Sequence, residues 1–183
     1  MKFAALILAC AVPFCLAAER DGVSYPDEIT VGGTPLVLNG IGTREATVFN
    51  VNVYVAALYV ENPSSSGSAI YNSDETRRLI LHFVRDVGVD DITNAWQEGF
   101  EKNAANRVAS LQGDIDLLNS WMSDMDDGDR MQFTYVPATG LEVSVKGTVK
   151  GTIPGADFAS AFFSIWLGPN PPNSGLKEGL LGN

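Results

Sequence analysis

Residues 38–60 read LNGIGTREATVFNVNVYVAALYV, and this segment decides how the chain can fold. Its second half is rich in Val, Ala, Leu and Tyr, which form strands packed into a core. Arg44 is its only cation and follows a Gly-rich turn. A guanidinium keeps its charge when buried, so an inward-facing Arg44 needs an anion. An exogenous carboxylate is one candidate for that anion, and the alternative is a side chain that points to water at a strand edge.

Hydrophobic periodicity along the chain predicts strands on both sides of a helical pair. The predicted strands are residues 28–31, 35–38, 44–49, 52–60, 78–84, 131–136 and 141–150. The predicted helices are residues 90–103, 115–125, 156–166 and 176–181. Segment 63–67, PSSSG, is predicted to be a flexible surface loop.

This order of elements lacks the strict βαβ alternation of a parallel sheet. It predicts an α+β fold in which a large antiparallel sheet carries helices on one face. No charged block, low-complexity stretch or internal repeat divides the chain. We therefore expect residues 19–183 to form a single domain.

The first 18 residues have the pattern of an export signal. Lys2 provides the positive charge, residues 3–16 are apolar, and residues 16–18 end in small side chains. The apolar stretch is shorter than the roughly 20 residues of a membrane span. We expect a cleaved signal peptide at residues 1–18, no transmembrane segment in the mature chain, and export to the bacterial periplasm. A lipoprotein signal acylated at Cys10 is the alternative, but its apolar region would be very short.

Composition excludes several classes of site and partner. Cys10 and Cys15 are the only cysteines and lie in the signal, so the mature chain has no disulfide, Cys-ligated metal or Cys nucleophile. The net charge of −10, without a basic stripe, argues against nucleic acid and anionic membrane surfaces as partners. Protein partners are not indicated by the sequence.

Common catalytic signatures are absent from the sequence. It has no nucleophile elbow, phosphate-binding loop, dinucleotide fingerprint or HExxH motif. His82 is the only histidine, and its place on the polar side of a strand predicts a cross-strand partner or solvent. We expect no catalytic histidine and no cofactor.

Two acidic groups are interpreted as structural. Asp90 and Asp91 are predicted to cap the start of a helix and favour its dipole. The carboxylates in residues 124–129 are spaced loosely like calcium ligands, but the rest of an EF-hand loop is absent. We interpret them as a solvated turn rather than a metal site.

Several blocks of sequence resemble the chalcone isomerase-like family. The N-terminal blocks are LNGIGTR at residues 38–44 and VYVAALYV at residues 53–60. The middle blocks are FVRDV at residues 83–87 and the helix that carries Trp96, Glu98, Gly99 and Phe100. The last blocks are IWLGP at residues 165–169 and LKEGLLG at residues 176–182. Together they cover nearly the whole chain after the signal, in the family's order.

The resemblance implies an open-faced β-sandwich with a hydrophobic cleft between a large antiparallel sheet and a layer of helices. The family contains plant chalcone isomerases and relatives that bind fatty acids without known chemistry. The resemblance places an Arg of the cleft at Arg44. The Thr of the enzymes is matched by Tyr54, as in the fatty-acid-binding branch.

The enzymes' Tyr, Lys and Asn on the first long helix fall near Ile92, Ala95 and Gly99. These side chains cannot orient a phenolate or a water network. The resemblance therefore implies non-catalytic binding of a fatty acid or similar amphipathic carboxylate by Arg44 and Tyr54. The alternatives are an intramolecular lyase or isomerase that uses Arg44 as electrophile, and a structural protein whose cleft is filled by its own side chains.

Binding of one carboxylate by both Arg44 and Tyr54 requires the two side chains to lie close together. Arg44 and Tyr54 are ten residues apart, which is about 33 Å along a straight strand. They can share one carboxylate only if the chain reverses between them, and residues 50–52 are a plausible place because Asn tolerates turn conformations.

Overall fold

The computed structural model describes residues 17–46 and 51–183. Within that part, the strands are β1 (Ala17–Arg20), β2 (Val23–Pro26), β3 (Glu28–Val31), β4 (Thr34–Ala46), β5 (Val51–Val60), β6 (Arg77–Phe83), β7 (Arg130–Val136), β8 (Gly140–Val145) and β9 (Thr148–Ile153). The helices are α1 (Gly67–Asn72), α2 (Val89–Ser120), α3 (Ala156–Leu167) and α4 (Ser174–Leu180). Strands β3 to β9 form one antiparallel sheet in sequence order, and β1 pairs with β2 in a separate hairpin.

All four helices pack on one face of the seven-stranded sheet, around a single aromatic-rich core. The other face is covered over β4 and β5 by the β1–β2 hairpin. The predicted α+β, open-faced β-sandwich architecture is confirmed. Among the described residues, no helix is both long and apolar enough to cross a membrane.

Strand β5 is apolar from Val53 to Val60 because both of its faces are covered from Tyr54 onward. Three of its residues, Tyr54, Ala56 and Leu58, pack under the helices. The alternate residues, Val55, Ala57 and Tyr59, pack under the hairpin. The Tyr25 hydroxyl of β2 donates to the carbonyl oxygen of Val55 at 2.9 Å, which fastens the hairpin to the sheet.

The glycines of β4 make room for helix α4. A Cβ built at Gly40 would overlap the carbonyl oxygen of Gly179, and one at Gly42 would overlap that of Leu176. The side chain of Asn39 also holds this end of the molecule, because its amide donates to the carbonyl oxygen of Leu180 at 2.7 Å. The glycine pattern before Arg44 therefore reflects close helix–strand packing rather than a turn.

Several predicted element boundaries were wrong. Predicted strands 35–38 and 44–49 belong to one strand, β4, up to Ala46, and residues 47–49 lie outside the described residues. Predicted strand 141–150 is two strands, because Lys146 and Gly147 both adopt positive φ and form a tight turn. Helix α2 has a kink at Ala104, directly after the predicted end at residue 103, but it continues as helix to Ser120, and residues 121–125 are not helical.

Other elements were not predicted. The hairpin β1–β2 is short, and Gly67, assigned to a loop, begins helix α1 with Ser66 as its N-cap. The predicted reversal at residues 50–52 was misplaced, since Val51 and Asn52 already pair with Ala46 and Glu45. Residues 1–16 of the predicted export signal lie outside the described residues.

Candidate functional site

Arg44, Tyr54 and Phe83 lie side by side on three neighbouring strands, on the helix-covered face. Arg44 of β4 is the direct cross-strand partner of Tyr54, and Tyr54 is the partner of Phe83 on β6. Directly opposed residues of an antiparallel pair have Cβ atoms about 4.5–5.5 Å apart. The antiparallel register thus brings the two predicted site residues together despite their separation in sequence.

A β-bulge lies next to this row. Arg44 pairs with Tyr54 and Glu45 with Asn52, so Val53 is an extra residue on β5. Val53 and Tyr54 consequently both line the same cavity, although neighbours on a regular strand point to opposite faces. The bulge therefore changes the direction of the β5 side chains next to the cavity, as bulges near functional sites often do.

The Tyr54 hydroxyl is oriented by an indole from the other end of the chain. Trp166 of α3 donates its ring N–H to the phenol oxygen over 2.9 Å, and both residues are buried. Because an indole can only donate, the phenol is the acceptor in this bond. Among the described residues, no acceptor is bonded to the Tyr54 hydroxyl proton, so the hydroxyl can donate it to another group. Sequence reasoning missed Trp166, and the only local signal was that a buried indole needs an acceptor.

The phenol of Tyr54 stays neutral at physiological pH. Burial raises its pKa to about 12, while the hydrogen bond from Trp166 and the charge of Arg44 act in the opposite direction. A neutral phenol is a hydrogen-bond donor, so Tyr54 can face an anion without repelling it.

Arg44 is half-buried at the edge of the cavity. One of its terminal nitrogens donates to the carbonyl oxygen of Glu45. Among the described residues, no carboxylate oxygen lies within 4.0 Å of its guanidinium. The cation is therefore placed beside a phenol donor without a close counter-ion from this part of the protein.

A cavity of about 420 Å³ lies between the sheet and the helices above this row. Its inner lining is apolar, formed mainly by Leu81, Phe83, Ile92, Trp96, Ile165 and Trp166. Its rim is charged, and the rim residues are Arg85, Asp86, Asp91, Glu98 and Lys102. An apolar interior with a few polar groups at one place is the usual form of a small-molecule site, and the volume lies within the typical range of about 300–1,000 Å³.

The segment after α3 forms one wall of the cavity and is fastened to α2. Asn103 donates its amide to the carbonyl oxygen of Asn170 at 3.0 Å and accepts from the Asn170 backbone N–H at 2.9 Å. The same Asn103 amide donates to the carbonyl oxygen of Gly99, one turn earlier. Helix α2 is kinked at the next residue, Ala104, with φ −139°. A side chain that competes for the helix's own carbonyl is a known cause of such kinks.

Thr43, next to Arg44, is held from two directions. Its hydroxyl accepts a hydrogen bond from Arg20 at 3.1 Å and donates one to Asp21, both on the N-terminal hairpin. Its carbonyl oxygen accepts from the side chain of Asn173, 3.2 Å away. These bonds fix the backbone of β4 immediately before the Arg44 side chain leaves it.

The sequence matches the family model described as chalcone isomerase-like over residues 17–182. The chain belongs to the chalcone isomerase-like family. A solved structure, the fatty-acid binding protein of Arabidopsis thaliana, has the same fold with a TM-score of 0.71 at 18% identity. The alignment covers 91% of this chain and 96% of the plant protein. A comparison with curated proteins found no match.

The chalcone isomerase-like cleft of this chain has no polar side chain at the three α2 positions that the resemblance singles out. Ile92, Ala95 and Gly99, where the resemblance places the enzymes' Tyr, Lys and Asn, all line the cavity. None of them has a polar side chain. Gly99 also has no room for one, because a Cβ there would lie 2.6 Å from the Ile165 side chain.

Other polar residues singled out in the sequence lie elsewhere in this chalcone isomerase-like fold. His82 is a cross-strand neighbour of Arg130 and accepts a hydrogen bond from its Nε at 2.8 Å, as predicted for a paired histidine. Asp90 and Asp91 lie in the first turn of α2, as predicted, but the prediction that one of them is the N-cap was wrong, because the N-cap is Gly88. Asp124 accepts from the Val89 backbone N–H instead.

Two further carboxylates of the 124–129 turn, those of Asp126 and Asp129, face the ammonium group of Lys146. Lys146 lies 3.1 Å from Asp126 and 2.7 Å from Asp129. No group of three or more potential metal ligands occurs in the described ranges.

Proposed function

We propose that the protein binds a fatty acid or similar amphipathic carboxylate in the cavity between sheet and helices, without catalysing a reaction on it. The observation that carries this proposal is the pairing of Arg44 with Tyr54 across β4 and β5. A guanidinium beside a neutral phenol donor suits a carboxylate, which accepts hydrogen bonds only.

The apolar lining of the cavity suits the alkyl chain of such a ligand. Residues such as Leu81 and Phe83 form the inner surface, so an alkyl chain would be removed from water there. Each buried methylene contributes roughly 0.8 kcal/mol. Affinity then comes mainly from the chain, and the orientation of the ligand comes from Arg44. The related plant structure is named as a fatty-acid binding protein, which is consistent with this ligand class.

Two alternatives receive less support. A cleft filled by the protein's own side chains is hard to reconcile with an open cavity of about 420 Å³. An isomerase of the plant type would need polar side chains at the α2 positions where Ile92 and Ala95 stand. The titratable groups of α2 that line the cavity, Asp91, Glu98 and Lys102, lie at its charged rim instead.

Native mass spectrometry of the protein purified from cells tests the proposal first, since a bound acyl ligand adds a defined mass. Calorimetric titration with dodecanoate and with dodecanol then tests the role of the head group. We expect tighter binding of the acid than of the alcohol. Equal affinity for the two, or binding of neither, would contradict a carboxylate site.

Export is part of the same proposal. We propose that residues 1–18 direct the chain to the periplasm and are removed there. N-terminal sequencing of the protein from a periplasmic fraction tests this, and an intact N-terminus at Met1 would contradict it.

A further inference from the structure

We propose that Trp96 closes the inner end of the cavity and sets the longest acyl chain that the site accepts. This inference rests on the carboxylate-binding function proposed above and names the ligand as a medium-chain rather than a long-chain acid. Trp96 lies on α2, lines the cavity, and is 5% exposed.

The indole of Trp96 is held against two rings in nearly perpendicular geometry. Its centroid is 5.5 Å from Phe133 of β7, at an interplanar angle of 78°. The same centroid is 6.0 Å from that of Phe162 of α3, at an interplanar angle of 88°. Contacts from both the sheet and a second helix leave the indole little freedom to swing away from a ligand, because edge-to-face packing favours a defined geometry.

Behind Trp96, the space between sheet and helices is occupied by aromatic side chains. Phe133 and Phe162 are 4.6 Å apart, and Phe162 is 5.0 Å from Trp166. All of these rings are at most 1% exposed. An alkyl chain that extends past Trp96 would have to displace closely packed rings, which well-packed interiors resist.

The cavity volume agrees with a short tail. About 420 Å³ is near the lower end of the usual range for small-molecule sites. With the carboxylate at Arg44 and Tyr54, the apolar tail would run over Phe83 and Leu81 toward Trp96. A tail longer than this path gains no further burial once its end meets the indole.

Calorimetric titration of the wild-type protein with saturated acids from octanoate to hexadecanoate tests the inference. Each buried methylene should tighten binding about fourfold. We expect this increase to stop by dodecanoate, with less than a twofold further gain up to hexadecanoate. A fourfold gain per methylene that continues to hexadecanoate would overturn the inference while leaving the proposed function intact. Failure of every acid to bind would overturn both.

Substitution of Trp96 provides a second test of the inference. Trp96→Leu should open the inner end, and apolar cavities of this kind accept apolar ligands. We expect tetradecanoate to bind about tenfold more tightly to Trp96→Leu than to wild type. Trp96→Phe is a milder change that should shift the limit in the same direction by less.

Phe100→Leu is the matched control. Phe100 lies one turn further along α2, is fully buried with its ring 5.8 Å from that of Phe158, and does not line the cavity. We expect its chain-length profile to remain within twofold of wild type at each length. Identical profiles for Trp96→Leu and Phe100→Leu would overturn the inference. Thermal unfolding of each variant shows that it is folded at the titration temperature, and the wild-type profile decides the question if a variant is not.

Discussion

The indole N–H of Trp166 and the phenol oxygen of Tyr54 form a buried hydrogen bond across 112 residues of sequence. Tyr54 lies on a central strand, and Trp166 lies near the end of helix α3. The bond fixes the direction of the phenol, and the direct pairing of Tyr54 with Arg44 places a cation beside it. These two contacts place Trp166, Tyr54 and Arg44 together at the proposed carboxylate site.

Arg44→Leu should weaken binding of dodecanoate much more than binding of dodecanol. A hydrogen bond to a charged group contributes about 1.5–3 kcal/mol, so we expect at least a tenfold loss for the acid. Tyr54→Phe should cost less, about 0.5–1.5 kcal/mol for one neutral donor. Calorimetric titration of both ligands measures these differences.

Arg107→Leu is the control for loss of a cation. Arg107 is half-buried like Arg44 but bonds to Ser160 on α3 and does not line the cavity. We expect its affinity for both ligands to match wild type. An equal response of the acid and the alcohol to Arg44→Leu would show that the guanidinium does not contact the head group.

Trp166→Phe and Tyr54→Phe should not be additive in their effects on stability. Each variant removes one partner of the same buried hydrogen bond, and the double variant removes both. We expect a coupling of about 1 kcal/mol in the free energy of unfolding, measured by urea denaturation. Trp121→Phe combined with Tyr54→Phe is the comparison, because Trp121 packs on Gly151 of edge strand β9. That pair should be additive, and similar coupling in both cycles would argue against a specific bond.

Gly42→Ala should destabilise the protein by roughly 1–3 kcal/mol. The added Cβ would overlap the carbonyl oxygen of Leu176, so α4 must move away from β4, and such overpacking typically costs this much. Gly113→Ala is the opposite case, since this helical glycine has no atom within 4 Å of the added Cβ. It should raise stability by about 0.5–1 kcal/mol. Thermal or urea unfolding of both variants measures the difference, and a stable Gly42→Ala would show that α4 packs differently.

His82 should make stability fall as the pH decreases below about 6.5. Burial and the charge of Arg130 lower the pKa of His82 from its ordinary value of 6.5, against a smaller opposing effect of Asp127. The unfolded chain therefore takes up this proton at a higher pH than the folded chain does, and stability is lost as the pH falls through this interval. Wild type should lose more stability than His82→Gln between pH 7 and pH 5 in urea titrations. Parallel losses in the two proteins would exclude this contribution.

The protein should not accelerate cyclisation of a chalcone above the buffer rate. The cavity wall on α2 has Ile92, Ala95 and Gly99 where the resemblance places polar groups of the enzymes, and Tyr54 stands in place of their Thr. Absorbance and chiral chromatography of the product measure the rate and the stereochemistry. A stereoselective rate that disappears in Arg44→Ala would establish an isomerase instead.

Much of the fold could be predicted from local pattern. Alternation at Leu79, Leu81 and Phe83 predicted β6 because side chains on a strand alternate between faces. Predicted boundaries of strands and helices were wrong where the backbone conformation depended on contacts with residues far away in the sequence. The two glycines of β4 suggested a turn, but they lie within a continuous strand against α4. A glycine required by a turn and one required by close packing look alike in sequence.

For the candidate site, the sequence by itself determined which side chains could bind an anion. Arg44, the single cation of an apolar strand-forming segment, needed an anion if it faced inward, and Tyr54 was a possible second donor. Only the tertiary structure decided that the two side chains are cross-strand partners, and that Trp166 holds the phenol. Sheet register and helix docking depend on contacts between residues far apart in the chain, whereas hydrophobic periodicity reports only on neighbours. The residues that could bind a carboxylate were therefore visible in the sequence, and their arrangement into one site came from the register of β4 on β5, with Trp166 added by the docking of α3.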